Sequence, residues 1–220
     1  MRHFPLFLDV NARDVLVVGG GGLAARKAAV LADAGARVVV IASRPSTELG
    51  DAAKKGRMLV ERRSFTADDV SGKLLVVAAS GDAALDARVS AVARAAGVPV
   101  NVVDRPSLCT FIWPAIVDRD PVTVAISSAG TAPVLARTVR ERLEALLPAR
   151  LGRLAHFAGD FRAAVKATRP TGGARRRFWD SFFAGPIAEA VLAGDERRAR
   201  ERMLALINRR GAWSAEQGIV

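Results

Sequence analysis

The chain has 220 residues, half of them hydrophobic, so it is long enough for one or two domains with a substantial core. It contains no apolar run near the roughly 20 residues of a membrane helix, no signal-peptide pattern at its start, and one cysteine, which excludes an internal disulfide and a multi-cysteine metal site. We therefore expect a soluble cytoplasmic protein whose net charge of +11 suits a polyanionic partner: nucleic acid, acidic lipid or a multiply carboxylated small molecule.

Strand and helix signals alternate through the first half of the chain. The run 73–79 is almost wholly apolar, which is typical of a parallel strand covered on both faces. This alternation predicts an α/β fold with a Rossmann-like, doubly wound parallel sheet. The predicted strands are 4–8 (a short edge strand), 15–18, 37–41, 58–61, 73–79 and 98–103, and the predicted helices are 23–34, 47–55 and 83–96.

The second half of the chain changes character. Two strands are predicted around a turn at 118–121, and only helices follow. Residues 168–173 have the composition of a flexible linker, and residues 211–220 resemble an exit segment that could lead into a further domain. The predicted strands are 111–117 and 122–127, and the predicted helices are 134–146, 150–167, 174–183, 185–192 and 196–209.

Four consecutive glycines join the first central strand to the first helix. Gly19, Gly21 and Ala24 fit the G-x-G-x-x-G/A spacing of a dinucleotide-binding turn, with Gly22 and Leu23 completing the loop. The first glycine permits the tight turn, the second lets the backbone approach a pyrophosphate, and the small third residue lets the helix pack closely. The positive end of the helix dipole then faces the anion. We therefore predict a β-α-β dinucleotide-binding unit.

The end of the second strand is where such proteins usually recognise the adenosine ribose. An acidic residue there would bind the 2′-hydroxyl, and Ser43-Arg44 offers none. Arg44 could approach a 2′-phosphate, stack on adenine or lie solvated in the loop. The choice between NAD and NADP therefore stays open at this position.

A carboxylate follows the predicted strand 98–103. Asp104 would face the crevice at the carboxyl edge of the sheet, where a positioned carboxylate can act as a general base. It could equally cap the loop before Pro106. Asn101, in the same strand, is more simply a residue whose amide holds a neighbouring loop.

The loop 127–133 offers hydroxyls and backbone amides at the start of a predicted helix. Ser127, Ser128, Gly130 and Thr131, with Arg137 on the following helix, could form a cradle for an anion. The alternative is an ordinary N-cap, with Thr131 capping and Pro133 in the first turn, and on the loop alone we prefer it.

The remaining reactive residues give weaker signals. The two histidines are far apart and no metal-ligand spacing occurs, so we predict no resident metal site. Cys109 is best explained as a small packed residue. The basic and aromatic run 175–179 could contact nucleic acid, but it is more typical of a helix with a wet basic face and buried aromatic rings.

Taken together, these segments resemble the precorrin-2 dehydrogenase/sirohydrochlorin ferrochelatase module of siroheme synthase, over roughly residues 1–210. No single segment is specific for this family, but the order and spacing of all the segments together are strong evidence for it. The matching segments are Pro5-Leu6-Phe7, Val17-Val18-Gly19-Gly20-Gly21, Ala24, Arg26-Lys27-Ala28, Leu31, Ala34-Gly35-Ala36, Ala78-Ala79, Asn101-Val102-Val103-Asp104, Phe111-Ile112, Pro114-Ala115, Ser127-Ser128, Gly130-Thr131, Pro133-Val134-Leu135-Ala136-Arg137 and Arg175-Arg176-Arg177-Phe178-Trp179.

The resemblance implies NAD-dependent oxidation of precorrin-2 to sirohydrochlorin, followed by insertion of Fe²⁺, a substrate, to give siroheme. It also implies a homodimer interleaved through the segment after Trp113, and a helical C-terminal domain. We accordingly divide the chain into an NAD-binding Rossmann domain (1–113), a dimerisation segment (114–149) and a helical domain with an exit segment (150–220). In fused relatives a methyltransferase domain follows, and the end of this chain is similar to the approach to it.

The resemblance also implies a set of site residues. The family's catalytic aspartate falls on Asp104, which would remove protons in both reactions, and Ser128 would lie beside the tetrapyrrole carboxylates. The expected cofactor-binding residues are Gly19, Gly21, Gly22, Leu23, Ala24, Ser43, Arg44, Ala79 and Ser80, and the expected substrate-binding residues are Asn101, Ser127, Ser128, Gly130, Thr131 and Arg137.

Three positions depart from the family pattern, and two rival functions stay open. Gly22, Gly81 and Ala132 stand where relatives often have polar or acidic residues. One rival is a dehydrogenase without chelatase activity, since one aspartate would serve both reactions. The other is a nucleotide-sensing regulator that binds nucleic acid through its basic helical part.

Overall fold

The computed structural model describes residues 3–208, which form two compact units. The first unit contains the residues up to 114 together with 127–133, and the second contains 115–126 and the residues from 134 onward. The predicted exit segment 211–220 lies outside the described residues. None of the helices within 3–208 is long and apolar enough to cross a membrane.

The first unit is built on a five-stranded parallel sheet in the order β3-β2-β1-β4-β5. This confirms the predicted Rossmann-like, doubly wound fold, with element bounds within a few residues of those expected. The strands are β1 (Asp14–Val18), β2 (Arg37–Ile41), β3 (Leu59–Glu61), β4 (Leu75–Ala78) and β5 (Val100–Val102), and the helices are α1 (Gly22–Asp33), α2 (Thr47–Lys54) and α3 (Ala83–Ala95), with short 3₁₀ turns at Ala67–Val70 and Pro106–Leu108.

The sheet is covered on both faces, since residues 15–18 of β1 and all of β4 are apolar and buried. Alternate residues of β1 point to opposite faces, so Val15 and Val17 pack in one core cluster with α1, and Leu16 and Val18 pack in another. Small, fully buried residues on α1, Ala24 and Ala28, leave no bulk between helix and sheet. This close packing sets the position of the glycine loop that precedes α1.

The predicted edge strand at 4–8 is wrong. This segment forms no strand, and its apolar side chains are exposed; Phe4 is 79% and Phe7 75% accessible. The sheet ends with β3 on one side and β5 on the other, and residues 4–8 pair with neither. A high strand propensity alone does not produce a strand unless the segment pairs with a neighbouring strand.

The second unit combines a hairpin with helices. The antiparallel strands β6 (Ala115–Arg119) and β7 (Val122–Ile126) form the hairpin, and a core of aromatic and aliphatic side chains joins the later helices. The segment predicted as a flexible linker, 168–173, has only three non-helical residues, 169–171. The Arg169 guanidinium donates hydrogen bonds to the carbonyls of Leu206 and Ile207. The helices are α4 (Pro133–Leu146), α5 (Leu151–Thr168), α6 (Gly172–Phe183), α7 (Pro186–Ala193) and α8 (Glu196–Asn208).

Candidate functional site

Four strands of the first unit end side by side. Val18 is in register with Ile41 on one side and with Ala78 on the other, and Ala78 is in register with Val102. The loops that follow these strands therefore leave the sheet at one edge. They carry most of the residues predicted from the sequence: the glycine turn, Ser43-Arg44, Ala79-Ser80 and Asp104.

The glycine loop is held against its neighbours by backbone contacts that leave no room for side chains. Gly19 has a φ of +143°, and a Cβ atom there would lie 2.3 Å from the carbonyl oxygen of Ala79. A Cβ on Gly20 would lie 2.2 Å from the carbonyl oxygen of Arg44. In contrast, a Cβ on Gly21 would meet no atom within 4 Å. Gly19 and Gly20 are thus required by the protein itself, whereas Gly21 borders open space.

The N-terminus of α1 has free hydrogen-bond donors. Gly21 is the N-cap, no side chain caps the helix, and its first turn contains no acidic residue. The amides of Gly22, Leu23 and Ala24 precede the first i→i−4 bond, which Ala25 donates to Gly21. Together with the open space at Gly21, these amides fit the pyrophosphate of a dinucleotide.

The loop after β2 brings an unpredicted carboxylate to the glycine turn. Ser43 and Arg44 are exposed, as a ribose-binding or solvated loop requires. The amide of Ser46 donates to the carbonyl of Gly20 over 2.8 Å, which ties this loop to the glycine turn. Glu48, in the first turn of α2, places Oε2 3.9 Å from the position of a Cβ on Gly22. Glu48 was not predicted as a site residue because it lies in α2, several residues beyond the end of β2.

A buried carboxylate, also unpredicted, orders the loop after β4. Asp86 of α3 is 4% exposed, and its Oδ1 accepts hydrogen bonds from the Ser80 hydroxyl (2.6 Å) and the Ser80 amide (3.2 Å). The Ser80 hydroxyl in turn accepts from the amide of Asp82. This network fixes Ser80 beside Ala79, whose carbonyl contacts the glycine turn. The signal in the sequence was a charged residue, Asp86, on the face of α3 that is buried against the sheet.

Asp104 follows β5 on an exposed turn with a left-handed backbone, φ +59°. Few residues other than glycine adopt this conformation, although aspartate tolerates it better than most. The 3₁₀ turn at Pro106–Leu108 begins without a side-chain cap, so the alternative role of Asp104 as the cap of this loop is not observed. The carboxylate is instead exposed at the end of the strand.

Asn101 is turned away from solvent. It is 6% exposed, and its side-chain amide donates to the carbonyl of Phe111 over 3.0 Å. This matches the simpler interpretation of Asn101, that it holds the adjacent loop, and its role in substrate binding stays a prediction. Cys109 packs beside it, and its sulfur exchanges hydrogen bonds with the backbone of Val102.

A third unpredicted group, Lys27, reaches the neighbourhood of Asp104 from α1. Its ammonium lies over the Trp113 indole, 4.0 Å from the ring centroid. Partial burial lowers the pKa of Lys27 to about 8, and the Asp104 carboxylate opposes this effect while Arg26 adds to it. Lys27 was noticed in the sequence only as part of a motif, because its partners come from distant segments.

The serine-rich loop belongs to the same unit as Asp104. Ser127 accepts from the amide of Ala129, and Ser128 from the amide of Ala132. It is therefore Ser128, and not Thr131 as the N-cap interpretation required, that binds the backbone just before α4. Ala129 and Gly130 have φ of +55° and +81°, and a Cβ on Gly130 would lie 3.5 Å from the Pro106 side chain. The loop thus lies beside the turn that follows Asp104.

Two further observations concern the position of Arg137 and the capacity for metal binding. Arg137 lies on α4 in the second unit, with an exposed side chain. Within the range 3–208, no group of three or more His, Cys, Asp and Glu side chains is placed to hold a metal ion.

Three family models together match most of the chain. Residues 6–115 match the model described as "Putative NAD(P)-binding", residues 119–146 match "Sirohaem biosynthesis protein central", and residues 150–207 match "Sirohaem synthase dimerisation region". The dimerisation model therefore lies C-terminal to the segment 114–149 that we predicted for dimerisation, and that placement stays a prediction.

The similar proteins point the same way. Siroheme synthases of Methylobacillus flagellatus, Pseudomonas entomophila and Azotobacter vinelandii are 47%, 48% and 50% identical to this chain over 96%, 94% and 93% of its length. The chain spans only 45%, 45% and 44% of those relatives. A solved structure, "SirC, precorrin-2 dehydrogenase", matches 93% of this chain and 98% of its own with a TM-score of 0.75 and 23% identity, which shows a shared fold.

Proposed function

Since this chain belongs to the family of siroheme synthase N-terminal regions, we propose that it oxidises precorrin-2 to sirohydrochlorin with NAD and then inserts ferrous iron to give siroheme. The observation that carries this proposal is the meeting of two features at one sheet edge. One is a glycine turn with free helix amides, and the other is an exposed carboxylate, Asp104, at the end of a neighbouring strand.

The residues around the glycine turn would hold the dinucleotide. The amides of Gly22, Leu23 and Ala24 would bind the pyrophosphate, with the open face of Gly21 allowing its approach. NAD is the dinucleotide that we propose, since residues 6–115 match a model described as NAD(P)-binding and the family resemblance implies NAD. When bound, NAD supplies the hydride acceptor. Ser43, Arg44, Ala79 and Ser80 complete the proposed cofactor-binding set at the ends of β2 and β4.

Asp104 would accept the protons of both reactions. The oxidation removes a hydride and a proton from the macrocycle, and Asp104 would take the proton as general base. Iron insertion releases protons from the pyrrole nitrogens, and the same carboxylate would receive them. Those nitrogens are themselves the iron ligands in the product.

The serine-rich loop would orient the substrate by binding the carboxylate groups of the tetrapyrrole. The hydroxyls of Ser127 and Ser128, the left-handed backbone at Gly130 and the amide of Thr131 lie on the same side of the unit as the turn after Asp104. Such loops suit carboxylate binding. The net charge of +11 favours a multiply charged anion. The role of Arg137 stays a prediction.

We also propose that the chain acts as a homodimer in which residues 114–149 take part. No side chain of α4 is buried, and Val134, Leu135 and Leu146 are 71%, 60% and 75% exposed. The β6–β7 hairpin has only two strands, too few to be stable without further packing. An apolar face and a small hairpin of this kind are typical of a surface that a second copy covers. A fused methyltransferase domain stays a prediction.

Two assays test the proposed reactions separately. With precorrin-2 and NAD, NADH should form and be visible by absorbance; with sirohydrochlorin and Fe²⁺, the macrocycle spectrum should change to that of siroheme. NADH formation without iron insertion above the uncatalysed rate would leave a dehydrogenase only. No turnover, together with DNA binding that weakens steeply with salt, would support the regulator instead.

A further inference from the structure

Lys27 is a cation whose burial is incompletely compensated. It lies on α1, with a partly buried side chain and its ammonium on the indole of Trp113. An aromatic face attracts an ammonium, but it replaces only part of the hydration that burial removes. Asp104 acts on the charge of Lys27, yet the two do not form an ion pair within 4.0 Å in the described part of the chain. The ammonium therefore has capacity for an anion.

The charges around Lys27 define what that anion can be. Asp104, on the turn after β5, is the opposing negative charge, and Arg26, the preceding residue on α1, is a second positive one. Partial burial lowers the pKa of Lys27 to about 8. The side chain is therefore mostly charged at neutral pH and loses its proton as the pH rises through the pKa. A carboxylate brought to this ammonium would favour the charged form and offset the cost of burial.

We propose that Lys27 is a substrate-binding residue: its ammonium, held on Trp113, binds a carboxylate of the tetrapyrrole next to Asp104. This inference rests on the proposed function and adds a residue to it. Holding one acidic side chain of the macrocycle at Lys27 contributes binding energy to the ground state and the transition state alike, so it acts on KM rather than on kcat. Lysine suits this role because it acts as a point charge that tolerates different carboxylate orientations.

The test compares three variants for precorrin-2 kinetics and for equilibrium binding of sirohydrochlorin. Lys27→Met keeps an apolar stem on Trp113 but removes the charge, and we expect KM and the sirohydrochlorin Kd to rise roughly tenfold to a hundredfold, with kcat nearly unchanged. Lys27→Arg keeps the charge at every pH, so its KM should rise less than that of Lys27→Met. Lys55→Met makes the same change as Lys27→Met at an exposed lysine just after α2 and is the matched control.

The pH dependence supplies a readout that a structural role would not change. Wild-type KM should rise as the pH passes the Lys27 pKa of about 8, because the ammonium is then lost. This rise should be absent in Lys27→Met and shifted to higher pH in Lys27→Arg. NAD affinity and thermal stability, measured alongside, should match the wild type in all three variants.

Two results would overturn the inference while leaving the proposed function intact: wild-type KM and Kd in Lys27→Met, or a loss confined to NAD affinity or to kcat. A wild-type protein that neither oxidises precorrin-2 nor binds sirohydrochlorin would overturn both.

Discussion

Gly19 and Ala79 approach each other so closely that the first has no room for a side chain, whereas Gly21, two residues on, faces open space. We expect Gly19→Ala to lose roughly 1 to 3 kcal/mol of unfolding free energy, from the positive φ and the overlap with the Ala79 carbonyl. Gly21→Ala should fold normally and bind NAD at least about tenfold more weakly, because its methyl group enters the space of the pyrophosphate. Urea denaturation and calorimetric titration with NAD separate the two effects. Equal NAD affinity in Gly21→Ala and wild type would remove this loop from cofactor binding.

Asp104→Asn tests the proposed base. The amide is nearly isosteric but cannot accept a proton, so NADH formation from precorrin-2 should fall by about 10² to 10⁴-fold. NAD affinity should persist, because the glycine turn is untouched. Iron insertion, followed separately, should fall as well if one carboxylate serves both reactions. Full dehydrogenase activity in this variant would exclude Asp104 from the mechanism.

Asp86 should influence the cofactor site without contacting the cofactor. Its replacement by alanine leaves the hydroxyl and amide of Ser80 without their buried acceptor, which should cost roughly 1 to 3 kcal/mol of stability. NAD binding should weaken because the loop after β4 loses its anchor. Ser80→Ala should lower stability as well, because it removes the 2.6 Å hydrogen bond to the buried Asp86 carboxylate. Identical stability of Asp86→Ala and the wild type would contradict this role.

The fold was largely predictable because each element carries its own signal. Unbroken apolar strands, alanine-rich helices and turn residues recur in order, and the sheet follows from them. The prediction for residues 4–8 was wrong because a strand needs a partner to pair with, and a local pattern does not report whether the segment meets one. Gly19 and Gly21 were recognisable because the dinucleotide motif falls within a short window of sequence.

The parts of the site that sequence reasoning missed depend on contacts between distant segments. Lys27 meets Trp113 across the unit, Asp86 reaches back to Ser80, and Glu48 approaches Gly22 from the next helix. None of these residues has a neighbour in sequence that reveals its partner. A buried charge on a helix is visible in sequence only as a break in the apolar face, and Asp86 was such a break.

A partly buried ion pair should make the stability of the first unit depend on pH. Hydrogen bonds from Arg63 hold the pKa of Asp69 below its ordinary value, and the amide of Thr66 contributes. Because the folded pKa is the lower one, this stabilisation is present above the ordinary pKa and is lost as the pH falls through the folded pKa. Asp69→Asn should therefore unfold about 1 to 2 kcal/mol more easily at neutral pH. The difference from wild type should shrink in acid, whereas Asp68→Asn, at an exposed neighbour, should show little effect at any pH.

The exposed apolar face of α4 gives the sharpest test of the dimer. Leu135 is 60% exposed on a helix with no buried side chain, and an aspartate there would place a charge in the proposed interface. Leu135→Asp should convert the dimer to a monomer in analytical ultracentrifugation while NAD affinity persists, because the first unit contains the glycine turn. The matched control is Leu59→Asp, which introduces the same charge at an apolar side chain 57% exposed on the edge strand β3, outside α4. A buried unpaired charge costs several kcal/mol, which is enough to break such an interface. A dimer that survives Leu135→Asp with unchanged affinity would place the interface away from this face of α4.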